Sequence, residues 1–284
     1  MRTFKRRGKA GGTARPKRNP LILNDEERDK MRAAGKANAT LLDVVRSEIK
    51  PGVRTGDIDT LVETWTRDHG YIPATVGYGP PDNPFPKACC ISVNEVVCHG
   101  IPGDYVLQDG DIANVDLTTI VDGWHGDQSE TFLVGEVKAE TKELVQCAFD
   151  ALYAGIDAIK PGGKVYDIGL AIYRLASARG YGVVRDYQGH GLGRKFHQDP
   201  GVPHFPDKRA GAFVIEPGMC FTIEPMINAG TWRTILDRKD GWTVFTADRS
   251  LSAQFEHTLL MTEDGIEILT QTEHGPRPGF RFDA

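Results

Sequence analysis

From Ile112 to Ile120 the chain alternates like a buried β-strand, β-branched and apolar, until Asp116 interrupts the run. From Met219 to Met226 a second such strand is interrupted by Glu224. The pattern around them predicts the remaining elements. A helix opens at Asn24, where Glu27 three residues on completes a capping-box signature, runs towards Ile49 and stops at Pro51-Gly52. A second helix covers about 56–69 and ends at Gly70, and extended segments follow near 87–98, 111–121 and 129–134. Further helices are predicted near 140–160 and 164–179, then strands near 181–186, 211–215, 219–227, 242–246 and 253–262. Helix pairs followed by strand runs give an α+β fold in which helices cover one sheet face and the other face holds any site.

This order occurs twice. Ile49-Lys50-Pro51-Gly52 returns as Ile159-Lys160-Pro161-Gly162, an offset of 110 residues, and Asp57-Ile58 and Gly70-Tyr71 return at the same offset as Asp167-Ile168 and Gly180-Tyr181. Gly110 precedes Asp116 by six residues, as Gly218 precedes Glu224. A period this long is too great for a solenoid and points to duplication within one domain. A two-fold arrangement would bring equivalent strands together on the uncovered face.

Composition narrows the setting. Residues 1–20 hold eight basic side chains and no acidic one, against 26 basic and 39 acidic in the remainder. A Gly/Arg/Lys-rich stretch such as 6–12 cannot bury a core, so the expected organisation is a disordered basic tail over 1–20 and one catalytic domain over 21–284. The tail reads either as a solvated appendage or as an electrostatic contact with RNA, for example on the ribosome. There is no run of about 18 apolar residues for a membrane span and no apolar core for a secretory signal. Five cysteines without CxxC spacing (Cys89, Cys90, Cys98, Cys147 and Cys220) read as reduced thiols of a cytoplasmic protein and argue against a cysteine zinc site.

The two interrupted strands carry the chemistry. Burying an ionised carboxylate without a partner costs on the order of several kcal/mol. Asp127 and Glu256 follow the two strands across predicted turns, so four carboxylates can converge on a shared cation. His190, set between glycines in Gly189-His190-Gly191, supplies a fifth candidate ligand. Four carboxylates and one imidazole suit a pair of divalent ions with carboxylates bridging them. Hard oxygen donors favour manganese, iron, cobalt or magnesium over a thiolate-type zinc site, with zinc on these ligands left open. Taken singly, Asp127 reads as well as a capping residue. His99 and His197 read either as packing histidines or as donors to a substrate carbonyl or amide beside the ions. His125, two residues before Asp127, reads as structural.

At these residues the sequence resembles the type I methionine aminopeptidases of the pita-bread metallopeptidases. The matching stretches are Cys90–Pro102, Asn114–Asp127, Gly189–Gly193, Phe221–Met226 and Gln254–Thr258. The resemblance implies a pseudo-two-fold fold, a curved antiparallel sheet covered by two helix pairs. It implies two divalent metals, one chelated by Asp116, the other held by His190 and Glu224, with Asp127 and Glu256 bridging. It further implies Glu224 as general base, His99 and His197 as contacts to the peptide, and a methionine pocket of Tyr78, Phe85, Cys90, Phe196 and Trp242. The implied activity is removal of the initiator methionine from nascent peptides when the next residue is small, by a soluble cytoplasmic monomer. The sequence departs from the pattern in a longer, proline-rich loop over 79–86 and in Thr75, where a pocket cysteine is common. The alternatives are an Xaa-Pro peptidase of the same fold and a non-catalytic binding protein built on it.

Overall fold

The computed structural model describes residues 19–282, so the basic tail, apart from Asn19 and Pro20, lies outside the described residues. Helix α1 (Asp25–Arg46) starts where the capping box demands. Asn24 Oδ1 accepts the Glu27 N–H and the Glu27 carboxylate accepts the Asn24 N–H, each at 2.9 Å. Helices α2 (Thr55–Asp68), α3 (Ala139–Ala158) and α4 (Val165–Ala178) follow close to their predicted spans. The pair α1 and α2 buries Leu41, Leu42, Val45, Ile58 and Val62 against Ile91, Val115 and Leu117. The pair α3 and α4 buries Leu144, Leu152, Ile168 and Ile172 against Phe221, Ile223 and Leu259. At roughly 1.5–3 kcal/mol for each fully buried large aliphatic side chain, these two clusters dominate what holds helices to strands.

All named strand pairs are antiparallel. The longest ladder is the hairpin Ile112–Val121 with Trp124–Leu133, which pairs residue for residue from Ile112↔Leu133 to Val121↔Trp124. Its two-residue turn is Asp122-Gly123, both with positive φ (49° and 80°), the backbone that matches the right-handed twist of a hairpin. The strand expected from 129 therefore starts five residues earlier, and Asp127 lies across the turn, as expected, but inside that strand.

The repeat is visible in hydrogen bonds. The Gly52 N–H donates to Leu107 O at 2.8 Å and the Gly162 N–H to Ile215 O at 2.9 Å. Arg54 bridges Val106 and Lys164 bridges Val214, so each second helix is entered beside an equivalent backbone contact. The stretch expected as a strand over 211–215 is this contact, with a 3-10 turn at Ala210–Ala212 before it. It touches the helix entrance at one bridge and lies in no sheet.

The strands expected over 219–227 and 253–262 are each broken in two. Cys220–Ile223 pairs with His257–Met261, whereas Met226–Asn228 pairs with Ser252–Gln254. Both chains change ladders at the same level, between 223 and 226 and between 254 and 257. Pro225 has no N–H to continue the first ladder. Short strands Gly189–Gly191 and Gln198–Val202, unanticipated from the sequence, join the first of these ladders and frame the segment from His190 to His197.

Candidate metal centre

Between the two helix-covered halves lies a cavity of about 360 Å³. Every candidate metal ligand and substrate contact named from the sequence lines it: Asp116, Asp127, His190, Glu224 and Glu256, with His99, His197, Tyr78, Phe85, Cys90, Phe196 and Trp242. Asp116 and Asp127 reach it from facing strands of the long hairpin. Glu224 and Glu256 reach it from the two strand breaks. His190 comes from a short strand whose flanking glycines let other backbone in. A side chain at Gly189 would collide with the Thr222 carbonyl, and one at Gly191 with the Asp199 carbonyl.

Asp127, His190 and Glu256 each place a ligand atom within 4.8 Å of the others. His190 Nε2 lies 3.4 Å from Asp127 Oδ2 and 3.7 Å from Glu224 Oε1. Hydroxyls orient the acids: Thr118 Oγ1 donates to Asp127 Oδ1 and Thr222 Oγ1 to Glu224 Oε1, both at 2.8 Å. Backbone is held too. The Glu256 N–H donates to Ser129 O at 2.9 Å, and the Glu224 N–H to His204 Nε2 at 3.1 Å.

The electrostatics show a shortage of positive charge. Burial pushes the Asp116 carboxyl well above the usual carboxylate range, and the charges of Asp127 and Glu224 push it further. Burial does the same to Glu256, reinforced by Asp127, Glu224 and Asp116. Burial raises Glu224 to about 7 against the pull of His190, with Asp127 adding to the rise. Burial would lower His190, but its hydrogen bond to Asp127 and the charges of Glu224 and Asp127 outweigh it. Five carboxylates line the cavity, of which Asp186 is exposed, and among the described residues no lysine or arginine does. Asp116, Asp127, Glu224 and Glu256, withdrawn from water together, need a counter-charge, so the donor set fits divalent cations. Burial raises the Cys90 and Cys98 thiols well above their ordinary range, and the neighbouring carboxylates add to it.

The remaining candidates surround the acids. His99 has a positive φ of 56°, which turns its ring into the cavity edge-on to Tyr187 and Trp242. Burial lowers it to about 4, so it is neutral. Burial, and then His190, lowers His197 to about 4. Phe85 meets Trp242 edge-on at 5.3 Å, and Tyr78 lies 4.9 Å from Phe196. His125 stacks on Phe196 and bonds the Gly193 carbonyl through Nδ1 at 2.8 Å, bracing the histidine segment.

Sequence reasoning passed over Thr118, Gln254, Tyr187, Gln188 and Met226 as lining residues and His204 as a support. Thr118 had a signal, because residues two apart on a strand share a face and Asp116 is two before it. His204 had none, lying 20 residues from the backbone it holds.

Residues 29–263 match metallopeptidase family M24. The chain is 51% identical over 253 residues to methionine aminopeptidase A of Synechocystis sp., covering 89% of this chain and 98% of that protein. Among solved structures it is similar to the methionine aminopeptidase from Rickettsia prowazekii, at a TM-score of 0.84 and 48% identity over 88% of this chain and 99% of that one. The prolidase from Pyrococcus furiosus shares the fold, at a TM-score of 0.71 and 22% identity over 89% of this chain and 66% of that one.

Proposed function

The chain belongs to metallopeptidase family M24, and within it to the methionine aminopeptidases; from that premise we propose how its residues divide the hydrolysis of a peptide's first bond. The observation that carries this reading is the cavity that gathers Asp116, Asp127, Glu224, Glu256 and His190 with no lysine or arginine among its described lining residues. Asp116, Asp127, His190, Glu224 and Glu256 would hold two divalent cations. Such ions supply the positive charge that acidifies a water molecule and anchors a free α-amine. The oxygen-rich ligand set favours manganese, iron, cobalt or magnesium, with zinc open.

Glu224 takes the proton of the attacking water as the general base. Neutral His99 and His197 donate hydrogen bonds to the peptide as negative charge develops on its carbonyl oxygen. The methionine side chain lies among Tyr78, Phe85, Cys90, Phe196 and Trp242, where aromatic faces suit a polarizable thioether. Requiring the α-amine beside the acids makes the enzyme an exopeptidase. The substrate is a nascent chain with a small second residue, the enzyme is monomeric and cytoplasmic, and the basic tail is a contact to the ribosome. No helix among the described residues is long and apolar enough to cross a membrane.

Incubation of the full chain with added manganese or cobalt and the peptides Met-Ala-Ser and Ala-Pro-Ala tests the reading. Release of methionine alone is expected. Cleavage only before proline would transfer the site to Xaa-Pro peptides, and cleavage of neither would remove the catalytic assignment. Deleting residues 2–18 should leave Met-Ala-Ser hydrolysis intact and reduce co-sedimentation with ribosomes. Equal sedimentation of the two chains would end the tail's assigned role.

A further inference from the structure

The loop that departs from the family pattern is built around one residue. The Gly77 N–H donates to Phe85 O at 2.9 Å and the Phe85 N–H to Tyr78 O at 2.7 Å, so the loop closes on Tyr78. It is pinned to the opposite wall of the cavity by Asn83 Nδ2 donating to Asp240 O at 2.9 Å and Trp242 Nε1 donating to Asn83 O at 3.1 Å. Gly79, with φ of 101°, passes under the Trp242 ring where a side chain would collide. These ties carry the Tyr78 ring onto Phe196 and place its hydroxyl 2.7 Å from His197 Nδ1. His197 Nε2 has no hydrogen-bond partner among the described residues, and the ring lines both the metal-centre cavity and the groove that adjoins it.

We propose that Tyr78 is a positioning residue for His197, whose Nδ1 accepts the phenol proton so that the ring's own proton stays on Nε2. The direction follows from acid strength. A phenol is a stronger acid than a neutral imidazole N–H, and an imidazole nitrogen is a stronger base than a phenol oxygen. The O–H···N arrangement therefore wins over N–H···O. With Nδ1 occupied, Nε2–H is the donor left for the substrate, and the ring is held at the angle the loop dictates. Tyr78 thus acts through His197, apart from its part in the methionine wall, and the 79–86 loop sets the orientation of that histidine. The inference rests on the reading above that His197 donates to the peptide under attack.

A double-mutant cycle on the metal-loaded full chain separates the two roles of Tyr78. Tyr78→Phe keeps the ring that packs on Phe196 and removes the hydroxyl. With Met-Ala-Ser, kcat should fall roughly tenfold, the size of one hydrogen bond, with KM changed less than about twofold. In a His197→Ala background the same change should have no further effect. Equal losses in both backgrounds, or an unchanged kcat in the first, would overturn the inference. A second readout does not need turnover. In the zinc-loaded chain with ¹⁵N-labelled histidine, His197 should show the Nε2–H tautomer, and Tyr78→Phe should convert it to a mixture. An Nδ1–H tautomer in the unaltered protein would sink the idea. Absence of methionine release by the unaltered enzyme would instead refute the function, and the nitrogen spectrum would still decide the tautomer.

Discussion

The two halves of the molecule deliver carboxylates to one cavity by different means. In the first half, Asp116 and Asp127 project from a hairpin of two unbroken ten-residue strands, where Asp116 pairs with Ser129 and Thr118 with Asp127. Alternation along a regular ladder aims both side chains. In the second half, Glu224 and Glu256 occupy the points where the chain leaves one ladder for another. No ladder fixes them there, so their backbone N–H groups are held by His204 Nε2 and by Ser129 O. A duplicated fold has thus kept an acid at corresponding places while one copy gave up strand regularity. In the proposed mechanism the rigid copy presents fixed ligands and the broken copy supplies the general base.

The largest expected effect tests that division. Glu224→Gln should lower kcat for Met-Ala-Ser by roughly a hundred- to ten-thousandfold, the range of general-base catalysis, with KM within a few fold. Asp116→Asn should instead reduce the metal content found by elemental analysis. An unchanged kcat in Glu224→Gln would remove its role as base and with it the contrast. Next in size is the support of the break. His204 is fully buried, and His204→Ala should destabilise the fold by about 2–4 kcal/mol in thermal denaturation and lower kcat as Glu224 loses its anchor. The matching change in the rigid copy, Thr118→Val, removes one hydrogen bond to Asp127 and should cost only about 1 kcal/mol. Losses of equal size would show that ladder and break hold their acids alike.

A pH experiment sharpens the shared part of the site. Asp116, Glu224 and Glu256 all have folded-state pKa values above their ordinary ones. The folded, chelator-treated protein then binds protons that the unfolded chain has released. Stability contributed this way is fully present below the ordinary carboxylate pKa and is lost as pH rises through the raised values. Above about pH 6.5, beyond the ordinary histidine range, the Tm of metal-free protein should fall for as long as these acids still hold protons, Glu224 losing its own near pH 7, with a slope of at most about 1.4 kcal/mol per pH unit for each extra proton held. His204, lowered to about 3 by burial, acts in the opposite sense, its contribution being lost as pH falls below about 6.5, outside that window. Loading with manganese should flatten the slope, because ligands must be deprotonated to bind metal. An equal slope with and without metal would show that these acids are not the ligands.

Much of this was legible in the residues. The capping box at Asn24, the Pro-Gly stops and the apolar periodicity located all four helices to within a few positions. The acids stood out because they interrupted apolar runs. The breaks at Glu224 and near Phe255 were missed because a strand that changes ladders keeps the same alternation as one that continues. Pro225 alone signalled the first of them. The Asp122-Gly123 turn was present as a local signal, yet the following strand, Trp124–Leu133, is rich in polar residues such as Gln128, Ser129 and Glu130 that the structure buries. Polarity there disguised a strand packed on both faces.

By itself the amino-acid order determined which segments coil, where they stop, that the plan is repeated, and which side chains have the chemistry to hold cations. Those properties depend on neighbours within a few residues, where propensity, capping and periodicity act. Tertiary structure alone decided that acids about 100 residues apart meet, that His204 holds the backbone of Glu224, and that the phenol of Tyr78 reaches His197. Such contacts arise from how helices and ladders pack as whole bodies, and no local pattern records the direction in which two distant strands will face.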